Sequence, residues 1–598
     1  MTNDTTAIHD DHPADGPGAS GDRRRTGFAR LAIGLVQGIA LYLLMRTTEG
    51  EGQTWSRQNP ELFAPAVLVA LFLPAVLLSG VGKLRLTVYL VWSLIAGAVL
   101  ALLAWHDIVR QAGEGREATF PLFAFGAAAL FIAHHLIVPA DRERRLIASF
   151  PAYFDAAWMA GVQLVLSIAF AGAFWLLLFL GAALFNIIGL SFLGDLMQEG
   201  WFALPLTGLA FAAAVQLTDV RDGLIRGVRM VALMLLSWLL LVLTVLVAAF
   251  LAALPFTGLT GLWATGSATA LVLSAAGVLI VLINAAYQDG RPDTRPPPVL
   301  RVAVRVASVL LTPLVLISVW GLSLRIGQHG LTPDRIIALA CAVVGTVYAV
   351  GYGLAALVPL VRKGSPWMKG LETTNIATAV LQVAVILALF TPVADPARLS
   401  VADQVARLQQ GKVTPETFDY TFLRFDSGKT GQTALQGLTR SADPEVARRA
   451  RIAQAETDRS EATEPLFTPV VEAWPAGQPL PAGFAAPTDA FGMLRNCDRP
   501  GSCVATTRDL NGDGVAEILL ATESSLTLYV RRAGTTWREE GSYPVQQCAG
   551  EGSADGRALL KSGALQPRAA AWPDLSTGGR SVSRLSGNAP CPDAAPAR

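Results

Sequence analysis

Between Phe28 and Pro392 the chain alternates long apolar stretches with short polar connections, and after Pro392 the alternation stops. Eleven stretches stand out: Phe28–Arg46, Leu62–Gly82, Leu86–Trp105, Phe120–Pro139, Ala156–Ile188, Trp201–Leu217, Val228–Leu254, Ser267–Tyr287, Val302–Leu324, Ile336–Val361 and Asn375–Pro392. A helix rises about 1.5 Å per residue and must cross about 30 Å of hydrocarbon, so about 20 apolar residues make one span. Each stretch therefore predicts one transmembrane helix. The connections carry breakers at Pro60, Gly82, Pro139 and along Arg291 to Pro298. Pro65, Pro74, Pro205 and Pro313 lie inside spans, where neighbouring helices can satisfy the freed backbone groups.

Composition points the same way. The 598 residues are 52% hydrophobic and 16% charged, with a mean hydropathy of +0.44, which excludes a water-soluble enzyme with a polar coat. The net charge of +1 leaves no nucleic-acid footprint.

Basic residues set the expected orientation. One set of connections carries Arg23, Arg24, Arg25, Arg30, Lys83, Arg85, Arg142, Arg144, Arg145, Arg221, Arg226, Arg229, Arg291, Arg295, Arg301, Arg305, Arg362, Lys363 and Lys369. The alternate set holds only Arg46, Arg57, Arg110, Arg116, Arg325 and Arg335. By the positive-inside rule the first set is cytoplasmic, which puts the N-terminus inside and, after eleven crossings, the C-terminus outside. Residues 1–27 read as a disordered cytoplasmic tail. Arg24-Arg25 before an apolar run suggests an export signal, but without a small-residue cleavage site the first helix reads as uncleaved.

Residues 28–392 thus form a transmembrane domain, followed by a C-terminal soluble α+β region expected outside the cytoplasm. Residues 393–460 predict short periplasmic helices at Val401–Gln410, from Thr414-Pro-Glu416, at Thr430–Arg440 and from Asp443-Pro-Glu445, the second and fourth opened by a capping side chain before proline. Residues 461–489 are a Pro/Ala-rich linker, and 490–598 a small β-rich domain. Four of the five cysteines, Cys497, Cys503, Cys548 and Cys591, fall in that last piece. An even set in a small extracytoplasmic domain reads as two disulfides, with Cys497–Cys503 and Cys548–Cys591 the preferred pairing of three. A four-cysteine zinc site is disfavoured because no close C-x-x-C pair is present.

The sharpest local motif runs from Asp509 to Glu517. Oxygen-bearing residues at Asp509, Asn511, Asp513 and Glu517, with the Val515 carbonyl and a tight reversal at Gly514, suit a hard cation such as structural Ca²⁺. Leu520 stands where an EF-hand has its bidentate acid, and a strand follows instead of a helix. The competing reading is a polar turn between two strands. The loop resembles the Asp-x-Asn-Gly-Asp-Gly loops of integrin-α-type β-propeller repeats, over one loop and one strand only.

Polar residues inside spans are costly and mark sites to explain. His134 and His135, Asn186, Asn284, Asn375 and Gln382 are such residues. Interhelical hydrogen bonding competes with a substrate role for each amide, and the histidines lie close enough to the interface to be solvated. No charged residue sits at a span centre, so an ion-driven pump has little support. The connection between spans nine and ten concentrates Arg325, Gln328, His329, Thr332 and Arg335. Thr332-Pro333 has the form of a helix start, and two arginines beside a helix N-terminus suit phosphate, carboxylate or lipid head groups; the alternative is plain anchoring of helix ends at the head-group level.

The stretch from Leu324 to Arg335 resembles the Arg-x-x-x-Tyr-Gly-Leu-Thr-x-x-Arg signature of the bacterial polytopic membrane family catalogued as domain of unknown function 4153. The stretches Ile283–Gly290 and Phe422–Gly431 are similar to further segments of it. His329 replaces the usual Tyr. The resemblance covers most of residues 28–440 and implies a multi-pass bacterial inner-membrane protein, without supplying a reaction.

No phosphate loop, dinucleotide fingerprint, zinc helix or nucleophile elbow is present in the sequence. The leading expectation is an envelope binding or transport-like protein with an outward anion or lipid-head-group site at Arg325, Gln328, His329, Thr332 and Arg335, with Asn284. A membrane enzyme acting on a lipid-linked envelope precursor is the alternative, needing a base near the outer face for which His329, Asp334 and Glu372 are the nearest residues, with Glu372 expected on the inner side; a scaffold for envelope proteins is a third. The expected partners are the lipid bilayer, an anionic lipid or envelope precursor and envelope proteins, with no nucleic acid.

Overall fold

A computed structural model describes residues 17–456 except 51–53, 114, 221, 259–267, 292–294 and 363–365. Beyond 456 it describes 469–481, 483–485, 494, 496–497, 499–531, 537–545, 555–566, 575–577 and 580–582. The chain divides into two compact units, Met1–Ala455 and Glu456–Arg598.

In the first unit the helices are α1 (Pro17–Arg46), α2 (Trp55–Gln58), α3 (Pro60–Gly80), α4 (Leu86–Arg110), α5 (Phe120–Glu143), α6 (Phe150–Ile187), α7 (Phe192–Gln198), α8 (Gly200–Val220) and α9 (Asp222–Thr257). They continue with α10 (Ala268–Tyr287), α11 (Pro298–His329), α12 (Pro333–Val361), α13 (Gly370–Leu389) and α14 (Pro396–Gln409), then a π-helical turn at Phe422–Asp426, α15 (Gly428–Leu438) and α16 (Pro444–Ala455). Eleven helices among the described residues are long and apolar enough to cross a membrane, one for each predicted span. The protein is a polytopic α-helical membrane bundle with a C-terminal soluble α+β region.

Several ends differ from the periodicity. Helix α1 starts at Pro17, inside the stretch read as a tail; residues 1–16 lie outside the described residues. Helix α11 runs on to His329 and is stopped by Gly330 at φ +75°, a left-handed backbone that glycine adopts without a Cβ clash. Helix α14 begins five residues before the expected Val401, because Asp395 Oδ1 accepts the amides of Ala397 and Arg398 at 2.8 and 3.2 Å. The segment opened by Thr414-Pro415 is a turn rather than a helix. Asp419 recaps the chain there by accepting the Phe422 amide at 2.8 Å, too soon for a costly helical nucleus to propagate. Glu445, in the first turn of α16, is clamped by Arg448 and Arg449, which hold its carboxyl down to about 2.

Small residues set the closest crossing. Gly34 and Gly38 of α1 lie one turn apart against Gly208 and Pro205 of α8, and a Cβ on Gly34 would run into the Gly208 carbonyl oxygen. This is the close backbone approach that drives helix pairing in lipid, where dispersion replaces the hydrophobic effect. One buried cluster joins Phe154, Leu240, Leu279, Leu311 and Tyr352 from α6, α9, α10, α11 and α12, and another joins Leu68, Leu103, Leu122 and Ile386 from α3, α4, α5 and α13.

Ion pairs gather at the arginine-rich end. Asp219 holds both Arg30 (2.6 Å) and Lys83 (2.8 Å), Asp141 holds Arg85 (2.6 Å), and Asp155 holds Arg229 (2.8 Å). At the opposite end α14 lies over the α11–α12 hairpin, while Gly428 at the head of α15 leaves room for the Arg110 carbonyl at the end of α4.

The second unit contains a five-stranded sheet in the order β1 (Val471–Ala473), β2 (Cys503–Arg508), β3 (Glu517–Ala521), β4 (Ser525–Arg531), β5 (Trp537–Pro544). Strand β1, which falls in the Pro/Ala-rich stretch, pairs parallel with β2, and the other pairs are antiparallel. Helix α17 (Gly556–Lys561) and the hairpin β6 (Leu575–Thr577) and β7 (Arg580–Val582) complete it. Cys497 is bonded to Cys503; the expected Cys548–Cys591 pair lies outside the described residues.

Candidate functional site

The α11–α12 hairpin is held from above by one face of α14. Asp403 Oδ2 accepts the Leu331 amide at 2.7 Å, and Gln404 Nε2 donates to the carbonyls of His329 (3.0 Å) and Leu331 (2.9 Å). Arg407 donates to the carbonyls of Gly327 (3.2 Å) and Gln328 (2.6 Å). These are the orphan carbonyls of a helix C-terminus, where positive charge is favoured. Thr332 caps α12 by accepting the Arg335 amide at 3.4 Å, and Arg335 Nη1 donates to the Gly330 carbonyl at 2.7 Å.

Arg325 and Arg407 lie close enough to Arg335 to act on its charge, with Asp334 opposing them and the Asp403 carboxylate against the same hairpin. Backbone carbonyls satisfy N–H groups but do not cancel charge. The Gln328 and His329 side chains are exposed. Asp403, Gln404 and Arg407 escaped sequence reasoning: they lie more than 70 positions from their partners on a helix whose pattern announces only amphipathicity.

Below the hairpin a cavity of about 550 Å³ opens between α5, α6, α10, α12 and α13, well within the usual size of small-molecule sites. Leu273, Ile337 and Leu389 line it towards the hairpin, and Asn284, Tyr348 and Gln382 supply polar groups among carbon. Cys341, a free thiol, is also in its wall.

Asn284 is further committed. Its Nδ2 donates to the Tyr352 hydroxyl at 2.8 Å, that hydroxyl donates to Asn375 Oδ1 at 2.8 Å, and Asn375 Nδ2 returns to Asn284 Oδ1 at 2.8 Å. A closed ring thus ties α10, α12 and α13. About one turn away, Tyr287 donates to Glu372 Oε1 at 2.9 Å, and Gly290 at φ +74° sits where a Cβ would strike both groups. Glu372 also pairs with Lys369 at 2.7 Å, so this carboxylate is structural in its contacts and far along the chain from His329 and Asp334.

His134 is buried at 4% exposure rather than solvated. Trp92 Nε1 donates to its Nδ1 at 3.0 Å, and its Nε2 meets Ser79 Oγ at 2.9 Å. Both partners come from other helices, which is why one span's pattern did not show them.

In the second unit the Asp509–Glu517 loop joins β2 to β3. Asp509 accepts the amides of Gly512 (2.7 Å) and Gly514 (3.0 Å), Asn511 accepts Asp513 N (2.8 Å), Asp513 accepts Val515 N (2.7 Å) and Glu517 accepts Leu510 N (2.8 Å). One carboxylate oxygen each from Asp509, Asp513 and Glu517 lies within 4.8 Å of the others, so the three acids can hold a metal ion.

A family profile described as "Domain of unknown function (DUF4153)" matches residues 63–436. The chain belongs to that family. The DUF4153 region spans from α3 into α15, so it contains the hairpin, the α14 bracket, the cavity and the Asn284–Tyr352–Asn375 ring, and leaves out α1 and the second unit. No curated protein and no solved structure matches this DUF4153 protein.

Proposed function

We propose that this DUF4153 protein is a bacterial inner-membrane envelope protein that binds an amphiphile with an anionic head group at the hairpin end of its bundle. The positive-inside rule supports placing that end, and the C-terminal unit, on the periplasmic side. The reading rests on one juxtaposition. Arg335 stands in the first turn of α12, and Ile337, two residues on and turned to another face of that helix, lies in the wall of the 550 Å³ cavity, so the cavity reaches the end of the bundle that carries the arginines. Guanidinium groups suit phosphate or carboxylate, and the carbon-lined cavity suits the chain that follows such a head group. The C-terminal unit then serves as a periplasmic recognition module, with Ca²⁺ at Asp509, Asp513 and Glu517 in a structural role.

Binding of a fluorescent long-chain alkyl phosphate to the full-length protein in neutral detergent tests this. Replacing Arg325 and Arg335 together by Ala is expected to weaken binding at least about tenfold, as loss of charge-assisted hydrogen bonds implies. Unchanged affinity with normal expression rejects the site.

A further inference from the structure

A second pair of chambers lies at the arginine-rich end, among α3, α5, α6 and α8, and shares no lining residue with the cavity just described. The outer chamber, about 370 Å³, is edged by Lys83, Arg142, Glu143, Asp155 and Asp219. The inner one, about 270 Å³, is lined by Phe72, Leu130, Phe131, Leu164 and Phe211. Ser79, His134, His135, Ala160 and Gln163 belong to both. A charged mouth therefore passes through a short polar wall into an apolar chamber.

The charges at the mouth are unequal in what they have left to give. Lys83 and Arg30 share Asp219, Arg229 holds Asp155, and Ser149 donates to Glu143 through both its amide and its hydroxyl. Arg142 has no protein partner among the described residues. The lining charges and their partners thus comprise four cations, Lys83, Arg30, Arg229 and Arg142, against three anions, Asp219, Asp155 and Glu143. The surplus positive charge is the unpartnered guanidinium, so the mouth selects an anion.

The wall selects in the other sense. Trp92 N–H only donates, so His134 Nδ1 accepts and the ring proton sits on Nε2, donating to Ser79 Oγ; Ser79 donates onward to the Ala75 carbonyl at 2.7 Å. That side is spent. His135 Nδ1 donates to the Phe131 carbonyl at 2.7 Å, which leaves the Nε2 of the neutral ring as an acceptor. Gln163 Nε2 donates to Val215 O and Thr218 Oγ1, both at 3.1 Å, which leaves its Oε1. Two acceptors, and no donor from these residues, face a ligand group that must itself donate, as a hydroxyl does.

We infer that these chambers bind an anionic phospholipid, with its phosphate at Arg142 beside Lys83, a head-group hydroxyl on His135 Nε2 or Gln163 Oε1, and an acyl chain in the inner chamber. The inference stands apart from the hairpin site, which lies at the other end of the spans.

Native mass spectrometry of the full-length protein carrying Arg325→Ala and Arg335→Ala, which remove the arginines of the hairpin site, released from neutral detergent with dioleoyl phosphatidylglycerol or dioleoyl phosphatidylcholine, tests it. One phosphatidylglycerol is expected to be retained in preference to phosphatidylcholine. Arg142→Glu, a change on an exposed side chain, is expected to weaken that retention at least about tenfold, the scale of one charge-assisted contact. Ala160→Phe, which fills the junction of the two chambers, is expected to do the same. Should Ala160→Phe fail to fold, Arg142→Glu carries the test alone. Equal retention of the two lipids, undiminished retention in Arg142→Glu, or full displacement of the lipid by millimolar inorganic phosphate would each overturn the inference, the last by showing a site for a soluble anion.

Discussion

Asn375 and Asn284 stand on different helices of the bundle, 91 residues apart in sequence, and the side-chain amide of the first donates to the side-chain oxygen of the second at 2.8 Å. Tyr352, fully buried, closes the ring between them. Inside a bilayer no water is at hand to satisfy these groups, so three polar side chains are tolerable there because each completes the others. Tyr352→Phe breaks two of the three links and leaves an amide donor and an amide acceptor short. Its unfolding midpoint in detergent is expected to fall by the equivalent of about 1 kcal/mol, the scale measured for interhelical hydrogen bonds in membranes. An unchanged midpoint would show that the ring contributes nothing to holding α10, α12 and α13 together.

Gly330 is the hinge on which the hairpin meets α14. At φ +75° a side chain is strained, and a Cβ there would lie 2.6 Å from Asp403 Oδ2 and 2.7 Å from Gln404 Nε2. Gly330→Ala is expected to cost about 1–3 kcal/mol in backbone strain, since φ +75° with ψ −173° is a region essentially glycine alone occupies, and to push α14 off its carbonyl partners. Limited proteolysis between Pro396 and Gln409 should then proceed faster than in the wild type, whereas equal rates would mean that the bracket is not clamped as described.

The loop between β2 and β3 brings three carboxylates together while spending part of each on backbone amides. A bound cation would relieve their repulsion and tighten the loop. Amide hydrogen exchange at Gly512 and Gly514 is expected to slow in about 1 mM Ca²⁺, within the weak range of extracellular calcium modules, and to return with chelator. The same exchange rates with and without the ion would favour the polar-turn reading.

How much of this was legible in the chain depended on the range of each interaction. The spans follow from apolar length alone, and the Cys497–Cys503 bond joins two residues only six apart, a separation at which sequence proximity favours pairing. Asn284 and Asn375 read as costly polar residues within spans, but their partner Tyr352 does not, since a tyrosine in an apolar run reads equally well as packing. The α14 bracket over Arg325–Arg335 was invisible, because Asp403, Gln404 and Arg407 act on backbone atoms that carry no sequence signature. The burial of His134 was missed for a related reason: depth along a span cannot reveal Trp92 and Ser79 on neighbouring helices.

The alkylation rate of Cys341 in protein reconstituted into neutral lipid bilayers, read at its own peptide by mass spectrometry, tests the central proposal most directly, because this thiol lies in the cavity wall. A long-chain alkyl phosphate is expected to slow the reaction at least about tenfold at saturation, a neutral alcohol of the same chain length to have little effect, and Arg325→Ala with Arg335→Ala to abolish the protection. Alkylation at the same rate with and without the phosphate would contradict an amphiphile site in this cavity.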